Sequence, residues 1–272
     1  MNKTVKFLLL TIAFFGLNNV FAQGLYINFN SGYGFKAGAE YIDYYNFQNS
    51  VRGTTSITYE QVFVSLGQGV NFDGSLGFML NKNIGMELGL SYLFGTKNKA
   101  KKEYNDGYTD YSLSSDMLRI IPSLVISSDA NGLNPYAKLG LVVGKGSILY
   151  EYIDNDDGDI TTLKQKLYGG TALGIKSAIG LSFSLQDNLS LFSEVQMINM
   201  SYSPLKGTII EATENGQDQL PEMSVRDKEI VFLDTYTWNL LEFPPDTQPR
   251  EELKQRFPFG SVGLNFGLRL SL

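Results

Sequence analysis

The sequence predicts an all-β protein that folds as a closed, up-and-down, antiparallel transmembrane β-barrel, with eight strands favoured over ten. Two observations carry this prediction. Stretches in which apolar residues alternate with small or polar ones recur along the chain, and the connections between them are short and long in turn. A membrane barrel produces both patterns, because its strands face lipid on one side and the lumen on the other, and its short turns and long loops lie at opposite ends.

Eight stretches carry the alternation. In the third, Ile84, Met86 and Leu88 occupy one parity, whereas Gly85 and Glu87 occupy the other. A period of two residues is that of a β-strand whose two faces meet different surroundings. The predicted strands lie at residues 24–38, 58–80, 84–95, 116–128, 136–152, 168–185, 189–203 and 259–272.

The connections between these strands differ in length. The predicted tight turns lie at 81–83, 129–134 and 186–188, and the predicted long loops lie at about 39–57, 96–115, 153–167 and 204–257. With both chain ends on one side, eight strands require three turns on that side and four loops on the other, as in bacterial outer-membrane barrels.

The last loop leaves the strand count open. Residues 206–213 and 229–241 could pair as a hairpin, and a barrel that used this hairpin would have ten strands. Residues 249–256 (PREELKQR) are predicted to form a short helix, with Pro249 at its first position.

The N-terminus is typical of a secretory signal. Lys3 and Lys6 precede a predominantly apolar stretch at 7–16, and the small residue Ala22 closes the segment. An uncleaved anchor helix would need about 20 apolar residues. We expect residues 1–22 to be removed and one barrel domain to occupy 23–272. Gln23, rather than a cysteine, follows the expected cleavage point, which argues against a lipid anchor.

The composition excludes several kinds of chemistry. The chain has 272 residues, a formal net charge of −6, and neither cysteine nor histidine. Without cysteine there is no disulfide framework and no thiolate metal site. Without histidine the chain lacks the commonest general base and the commonest metal ligand. The mild acidity argues against a nucleic-acid partner.

Alternation alone does not decide which parity faces inward. A soluble, lipocalin-like barrel would bury its apolar parity, whereas a membrane barrel would expose it to lipid. Here the polar parity consists mostly of Gly, Ser, Asn and Ala, with isolated charges. Small residues are what a narrow barrel interior can hold, so this parity is predicted to face the lumen.

The isolated charges on the polar parity are the candidate site. An unpaired charge in a closed lumen costs several kcal/mol, so these side chains are expected to form a ladder of ion pairs. Arg269, in the last strand, is expected to point toward an acid such as Asp73, Glu87 or Glu194. The predicted lumen network comprises Lys36, Asp73, Glu87, Arg119, Lys138, Lys176, Glu194 and Arg269.

Two loop clusters are weaker candidates. Asp154, Asp156, Asp157 and Asp159 invite a weak divalent-cation site, although their spacing is not that of an EF-hand. A solvated loop is the alternative interpretation. The second long loop carries four lysines that could contact lipopolysaccharide phosphates. They are Lys97, Lys99, Lys101 and Lys102.

The chain resembles the small outer-membrane β-barrel proteins of the OmpA/OmpW-like porin group, particularly Bacteroidetes forms. The matching features are the signal ending FAQ, the opening strand LYINFNSGYGFKAG and the closing GSVGLNFGLRLSL. The resemblance implies a bacterial outer-membrane location, contact with outer-membrane lipid and lipopolysaccharide, and insertion by the barrel insertion machinery. The final strand departs from the group, because it ends on Leu272 instead of an aromatic residue.

Three functions remain open from the sequence. The first is a structural or surface-interaction barrel with a side-chain-filled lumen, whose long loops meet an extracellular ligand or partner. The second is a narrow porin-like channel for small or hydrophobic solutes. The third is a barrel enzyme that works without histidine, with Glu87 and Glu194 as candidate carboxylates. We expect no enzyme activity and no cofactor.

Overall fold

The computed structural model describes residues 24–42, 47–128, 132–237 and 244–272. Eight strands form a closed antiparallel barrel, which confirms the predicted fold class. The expected signal peptide lies outside the described residues. The barrel strands are β1 (Leu25–Lys36), β2 (Gly69–Met79), β3 (Ile84–Gly95), β4 (Gly107–Ser127), β5 (Leu133–Asp156), β6 (Ala172–Gln186), β7 (Leu189–Tyr202) and β8 (Ser261–Ser271).

Strand β8 closes the barrel by pairing with both β7 and β1. Leu270 lies opposite Leu189 on one side and opposite Ile27 on the other. The pairing continues to the last residue, where the Leu272 amide donates to the Leu25 carbonyl at 2.9 Å. A closed barrel has no unpaired strand edge, so the regular alternation at the C-terminus completes the sheet.

The connections from β2 to β3, β4 to β5 and β6 to β7 are short, and we call this side the turn end. The longer connections lie at the opposite loop end, as predicted. The predicted bounds of β3 are those observed, but the predicted strand at 58–80 is divided. Ile57–Gln61 belongs to the loop end, and only Gly69–Met79 enters the barrel.

Strands β4 and β5 are longer than the alternation predicted. At about 3.3 Å per residue, the 24 residues of β5 span roughly 80 Å. A tilted membrane strand needs only about 9–11 residues. The two strands therefore extend far beyond the loop end.

Above the loop end, in the described part of the chain, these strands form the middle of an open sheet of nine strands, which we call the projecting sheet. Its strands are mostly antiparallel, with parallel pairings of Gln48–Arg52 to Asn98–Glu103 and of Glu229–Leu233 to Arg250–Leu253. The order is Ile57–Gln61, Gln48–Arg52, Asn98–Glu103, β4, β5, Asp159–Tyr168, Lys206–Glu214, Glu229–Leu233 and Arg250–Leu253.

Smaller elements complete the loops. They are the strand pair Glu40–Tyr41 and Phe63–Val64, the two-residue strands Gln217–Asp218 and Phe257–Pro258, the 3-10 helix Leu220–Glu222 and the α-helix Val225–Lys228. Among the described residues, no helix is long and apolar enough to span a membrane.

The ten-stranded alternative is wrong. Lys206–Glu214 pairs with Glu229–Leu233 at three positions, as the predicted hairpin required, but both strands join the projecting sheet and not the barrel. Part of the predicted second arm, residues 238–241, lies outside the described residues. The predicted helix at 249–256 is also wrong, because Arg250–Leu253 is a strand. A helix this short has a costly nucleus, whereas Glu229–Leu233 offers backbone partners.

The two faces of the barrel wall are those that the alternation predicted. Outward residues of the apolar parity are exposed: Leu141 is 64% exposed and Ile179 is 67% exposed. On the other parity Asn28 and Asn265 are fully buried. This arrangement contradicts the soluble-barrel alternative, which would bury the apolar side chains.

The barrel interior changes character along its axis. At the loop end, apolar residues of the strands themselves, such as Leu93, Met117 and Ile148, point inward and are buried. Loop residues pack onto them and form what we call the plug. The plug consists of Phe47, Val64, Leu66, Phe257 and Phe259, each at most 1% exposed.

Hydrogen bonds join the two plug loops to each other and to the barrel wall. The Leu66 amide donates to the Pro258 carbonyl at 2.8 Å, and the Phe259 amide donates to the Met200 carbonyl at 2.9 Å. The hydroxyl of Ser115 donates to the Leu66 carbonyl at 2.8 Å. The first and last long loops thus meet in the barrel mouth and fill it.

Candidate functional site

Below the plug, four predicted charges form a continuous chain across the lumen. The Lys138 ammonium lies 3.1 Å from Glu87 and 3.2 Å from Glu194. Glu194 also accepts from Lys176 at 3.3 Å. These side chains are at most 9% exposed and come from β3, β5, β6 and β7. The closed sheet thus brings together residues that are far apart in sequence.

Neutral side chains complete the coordination of Glu194. The Tyr136 hydroxyl donates to Oε2 at 3.1 Å, and the Asn265 amide donates to Oε1 at 3.2 Å. Together with Lys138 and Lys176, each oxygen has two donors. A buried ion pair contributes to stability only when its remaining lone pairs are satisfied, and here they are.

Glu87 is coordinated in the same way. Its Oε2 accepts from the Asn28 amide at 2.9 Å and from the Tyr26 hydroxyl at 3.2 Å. The sequence prediction missed Tyr26, Asn28, Tyr136 and Asn265. Asn28 and Asn265 lie on the same parity as the predicted charges, and Tyr26 and Tyr136 lie two residues before Asn28 and Lys138. Position on the inward face, rather than charge, was the signal that could have identified them.

Arg269 points into the lumen but makes no ion pair within the described part of the chain. Its guanidinium lies 4.2 Å from the centre of the Tyr26 ring and 5.6 Å from that of Tyr136. Its Nε donates to the Asn28 side-chain carbonyl at 3.0 Å. Arg269 is therefore linked to Glu87 through Asn28 and held by aromatic faces, which attract cations. The expected direct pair with an acid is absent.

Arg119 forms a second polar centre. It is 1% exposed, and its Nη2 donates to Asn71 and, at 2.7 Å, to Ser91. Asp73 lies on β2, which β3 separates from β4, and among the described residues it forms no ion pair with Arg119. The prediction for Lys36 is wrong: it has the inward parity, but it lies at the loop end of β1, where its side chain is exposed.

The acidic run at 154–159 belongs to a hairpin turn. Asp156 and Asp159 pair across it, and Asp157 and Gly158 have φ angles of 49° and 95°. Two central residues with positive φ define the turn that suits a two-residue hairpin loop. The Asp154 carboxylate accepts from Thr109 at 2.6 Å. No cluster of three acidic side chains suited to a metal ion occurs in the described ranges.

The four predicted lipopolysaccharide lysines lie in the strand Asn98–Glu103 or just before it, and internal partners engage several of them. Lys97 pairs with Glu151, and Lys101 pairs with Glu103 at 2.9 Å. The Lys102 ammonium lies 4.9 Å from the centre of the Tyr111 ring. Lys97, Lys101 and Lys102 therefore contact other residues of the projecting sheet.

Hydrogen bonds and burial shift the pKa values of two groups in the projecting sheet. Burial alone would raise the pKa of Glu151, but hydrogen bonds from Lys97 and Ser112 outweigh it and lower this pKa below its ordinary value. Burial raises the pKa of Tyr152 to about 12. The sheet thus carries an ionised carboxylate beside tyrosines that remain protonated at neutral pH.

The fold and the lumen define a small eight-stranded β-barrel that is closed by its own loops. Among solved structures, the chain is similar to Neisserial surface protein A (NspA), with 12% identity, a TM-score of 0.37, and coverage of 92% of this chain and 98% of that one. It is also similar to Ail, the attachment invasion locus protein of Yersinia pestis, with 12% identity, a TM-score of 0.30, and coverage of 91% and 99%. No family model matches the chain, and no curated protein matches it.

Proposed function

We propose that the protein is an integral outer-membrane barrel with a structural and surface-interaction role. The exposed apolar belt supports the membrane location. Leu139, Leu141 and Ile175 are each more than half exposed on adjacent strands, and water would not favour so large an apolar surface. The sequence resemblance to the OmpA/OmpW-like group supports the same location. Outer-membrane lipid and lipopolysaccharide are then the partners of the belt.

The observation that carries the proposed role is the double closure of the lumen. The charge chain from Glu87 to Lys176 crosses the interior, and the plug fills the mouth above it. Eight strands leave an interior just wide enough for side chains. A barrel closed in this way is suited to displaying the projecting sheet rather than to passing solutes.

Single-channel recording in planar bilayers tests this role. We expect no conductance steps from the wild-type barrel. Arg269→Ala should also remain closed, because the plug lies elsewhere along the axis. Heat-modifiable gel migration provides the folding control for both proteins. Stable conductance steps from the folded wild type would contradict the proposal.

We also propose that the protein is not an enzyme. Glu87 and Glu194, the candidate carboxylates, both pair with Lys138 and accept further hydrogen bonds, so both are committed to structural contacts.

The membrane location has its own test. After cell fractionation the protein should remain with the outer membrane, and recovery in the soluble periplasmic fraction would contradict that location.

A further inference from the structure

The projecting sheet ends in two strands that differ in how they are protected. Within the described residues, Ile57–Gln61 pairs only with Gln48–Arg52, and Arg250–Leu253 pairs only with Glu229–Leu233. Each therefore leaves one row of backbone groups without a strand partner. Such edges are templates for pairing with another chain unless charges or prolines prevent it.

The Arg250–Leu253 edge carries that protection and the Ile57–Gln61 edge does not. Three of the four residues in REEL are charged, and Pro249 precedes them. In ITYEQ only Glu60 is charged, and the strand contains no proline. All five residues are exposed, with Tyr59 at 62%. The Ile57–Gln61 edge therefore has the composition of an edge that accepts a partner strand.

The register shows which backbone groups this edge presents. The Gly53 amide donates to the Ser56 carbonyl at 2.8 Å, so these two residues form a hydrogen-bonded pair next to the turn. Hydrogen-bonded and non-hydrogen-bonded pairs alternate along an antiparallel ladder. The pairs Arg52–Ile57 and Ser50–Tyr59 are therefore non-hydrogen-bonded. The amide and carbonyl groups of Ile57 and Tyr59 consequently point away from Gln48–Arg52, toward the free side.

A hollow of about 450 Å³ lies beside this edge. Its apolar wall includes Ile57, Tyr59 and Tyr104, and its cations are Arg52 and Lys102. The remaining charge in the hollow, Glu103, is paired with Lys101 at 2.9 Å. A strand added at the edge would direct alternate side chains to the face that carries the hollow. The hollow therefore suits apolar and acidic side chains.

We propose that the Ile57–Gln61 edge binds an extended, acidic segment of another protein as an added β-strand. Backbone hydrogen bonds to Ile57 and Tyr59 provide the affinity, and contacts with Arg52 and Lys102 select acidic sequences. This inference rests on the proposed function, because that function places the projecting sheet outside the membrane.

The test uses the full-length barrel in lipid nanodiscs and a fluorescein-labelled peptide of alternating valine and aspartate. Fluorescence anisotropy measures binding. Tyr59→Pro removes one outward amide without breaking the ladder to Gln48–Arg52. We expect it to weaken binding roughly tenfold, on the order of one lost backbone hydrogen bond. Arg52→Gln combined with Lys102→Gln should also weaken binding, whereas Lys99→Gln, outside the hollow, should not.

A second probe separates strand addition from simple charge attraction. The same peptide, N-methylated at alternate residues, retains its charges but loses the donors along one edge, so it should bind much more weakly to the wild type. Equal binding of both peptides, or no binding to a folded barrel, would overturn the inference. Failure of the barrel to enter nanodiscs, or the absence of heat-modifiable migration, would count against the proposed function instead.

Discussion

Glu194 is the side chain on which the lumen network depends most, since it joins two lysines, a tyrosine and an asparagine. Such a centre is stable only while it is complete. A charge left without its partner in a low-dielectric interior cannot recover its hydration energy, and the whole cost of burial then falls on the folded state.

Glu194→Gln should therefore destabilise the barrel strongly. The substitution keeps the shape of the side chain but leaves Lys176 without its acid, and the expected loss is about 3–5 kcal/mol. Denaturant unfolding in detergent micelles measures it. The matched control is Glu211→Gln, since Glu211 pairs with Lys164 in an exposed position, where about 1 kcal/mol or less is expected. Equal losses in the two variants would contradict this account of the network.

Alanine substitutions at two glycines of the barrel wall are expected to have opposite effects on stability. A Cβ on Gly32 would lie 1.9 Å from the Asn265 side-chain oxygen and 2.3 Å from the Leu264 carbonyl. A Cβ on Gly74 would have no atom nearer than 3.9 Å. Gly32→Ala should disturb the seam between β1 and β8 and lower the temperature at which gel migration changes from that of the folded to that of the unfolded protein. Gly74→Ala should leave this temperature unchanged. A tolerated Gly32→Ala would show that the seam can relax.

At the scale of elements, the projecting sheet depends on ion pairs that water can reach. Glu151 on β5 links this strand to the two beyond it, because it accepts from Ser112 on β4 at 2.8 Å and from Lys97, which directly precedes the strand Asn98–Glu103. The pKa of this carboxyl is lower in the folded protein than in the unfolded chain. Its contribution to stability is complete above the ordinary carboxyl value of about 4.3 and is lost as the pH falls through the depressed folded value.

Acidification below about pH 4 should therefore loosen the projecting sheet before the barrel. Amide hydrogen exchange in Asn98–Glu103, corrected for the intrinsic effect of pH, should accelerate in this range. Glu151→Gln should show the faster exchange already at neutral pH and little further change on acidification. The proposed role of Glu151 would be contradicted if the wild type and the variant responded to pH in the same way.

The element boundaries were predictable only where one physical environment acts on the whole strand. Ile84–Gly95 lies between lumen and belt along its length, and its alternation predicted both of its ends. Strand β5 leaves the belt and continues into the projecting sheet, and along it the buried parity changes from polar residues such as Lys138 to apolar residues such as Ile148. A single rule of parity cannot describe a strand whose surroundings change.

The molecule as a whole is organised by depth along the barrel axis. Exposed apolar side chains form the belt around the barrel, and the proposed function places this belt in lipid and the projecting sheet in water. Leu141, which is 64% exposed, belongs to the first group, and Ile160, which is 44% exposed beside a hairpin turn, belongs to the second.

Arginine at these two positions should distinguish the environments. Leu141→Arg is expected to cost about 2–4 kcal/mol in a lipid bilayer, because the charge would lie within hydrocarbon. Ile160→Arg should change stability by less than about 0.5 kcal/mol, as is usual on a wet surface. Unfolding in lipid vesicles measures both. Comparable costs would contradict the assignment of the belt.

By itself, the sequence determined which parity of the strands faces the lumen and at which end the long loops lie, and it favoured eight strands over ten. A two-residue period and the distribution of turns are local properties that any short window displays. The tertiary structure alone decided which charges meet, because parity sets the face of a side chain but the stagger of the strands sets its height. Lys36 and Glu87 share a parity, yet only Glu87 reaches the network. The position of the plug also depends on the tertiary structure, through contacts such as the hydrogen bond of 2.5 Å from the Ser65 hydroxyl to the Gly260 carbonyl. Those two residues are 195 positions apart, and only the closed barrel brings them together.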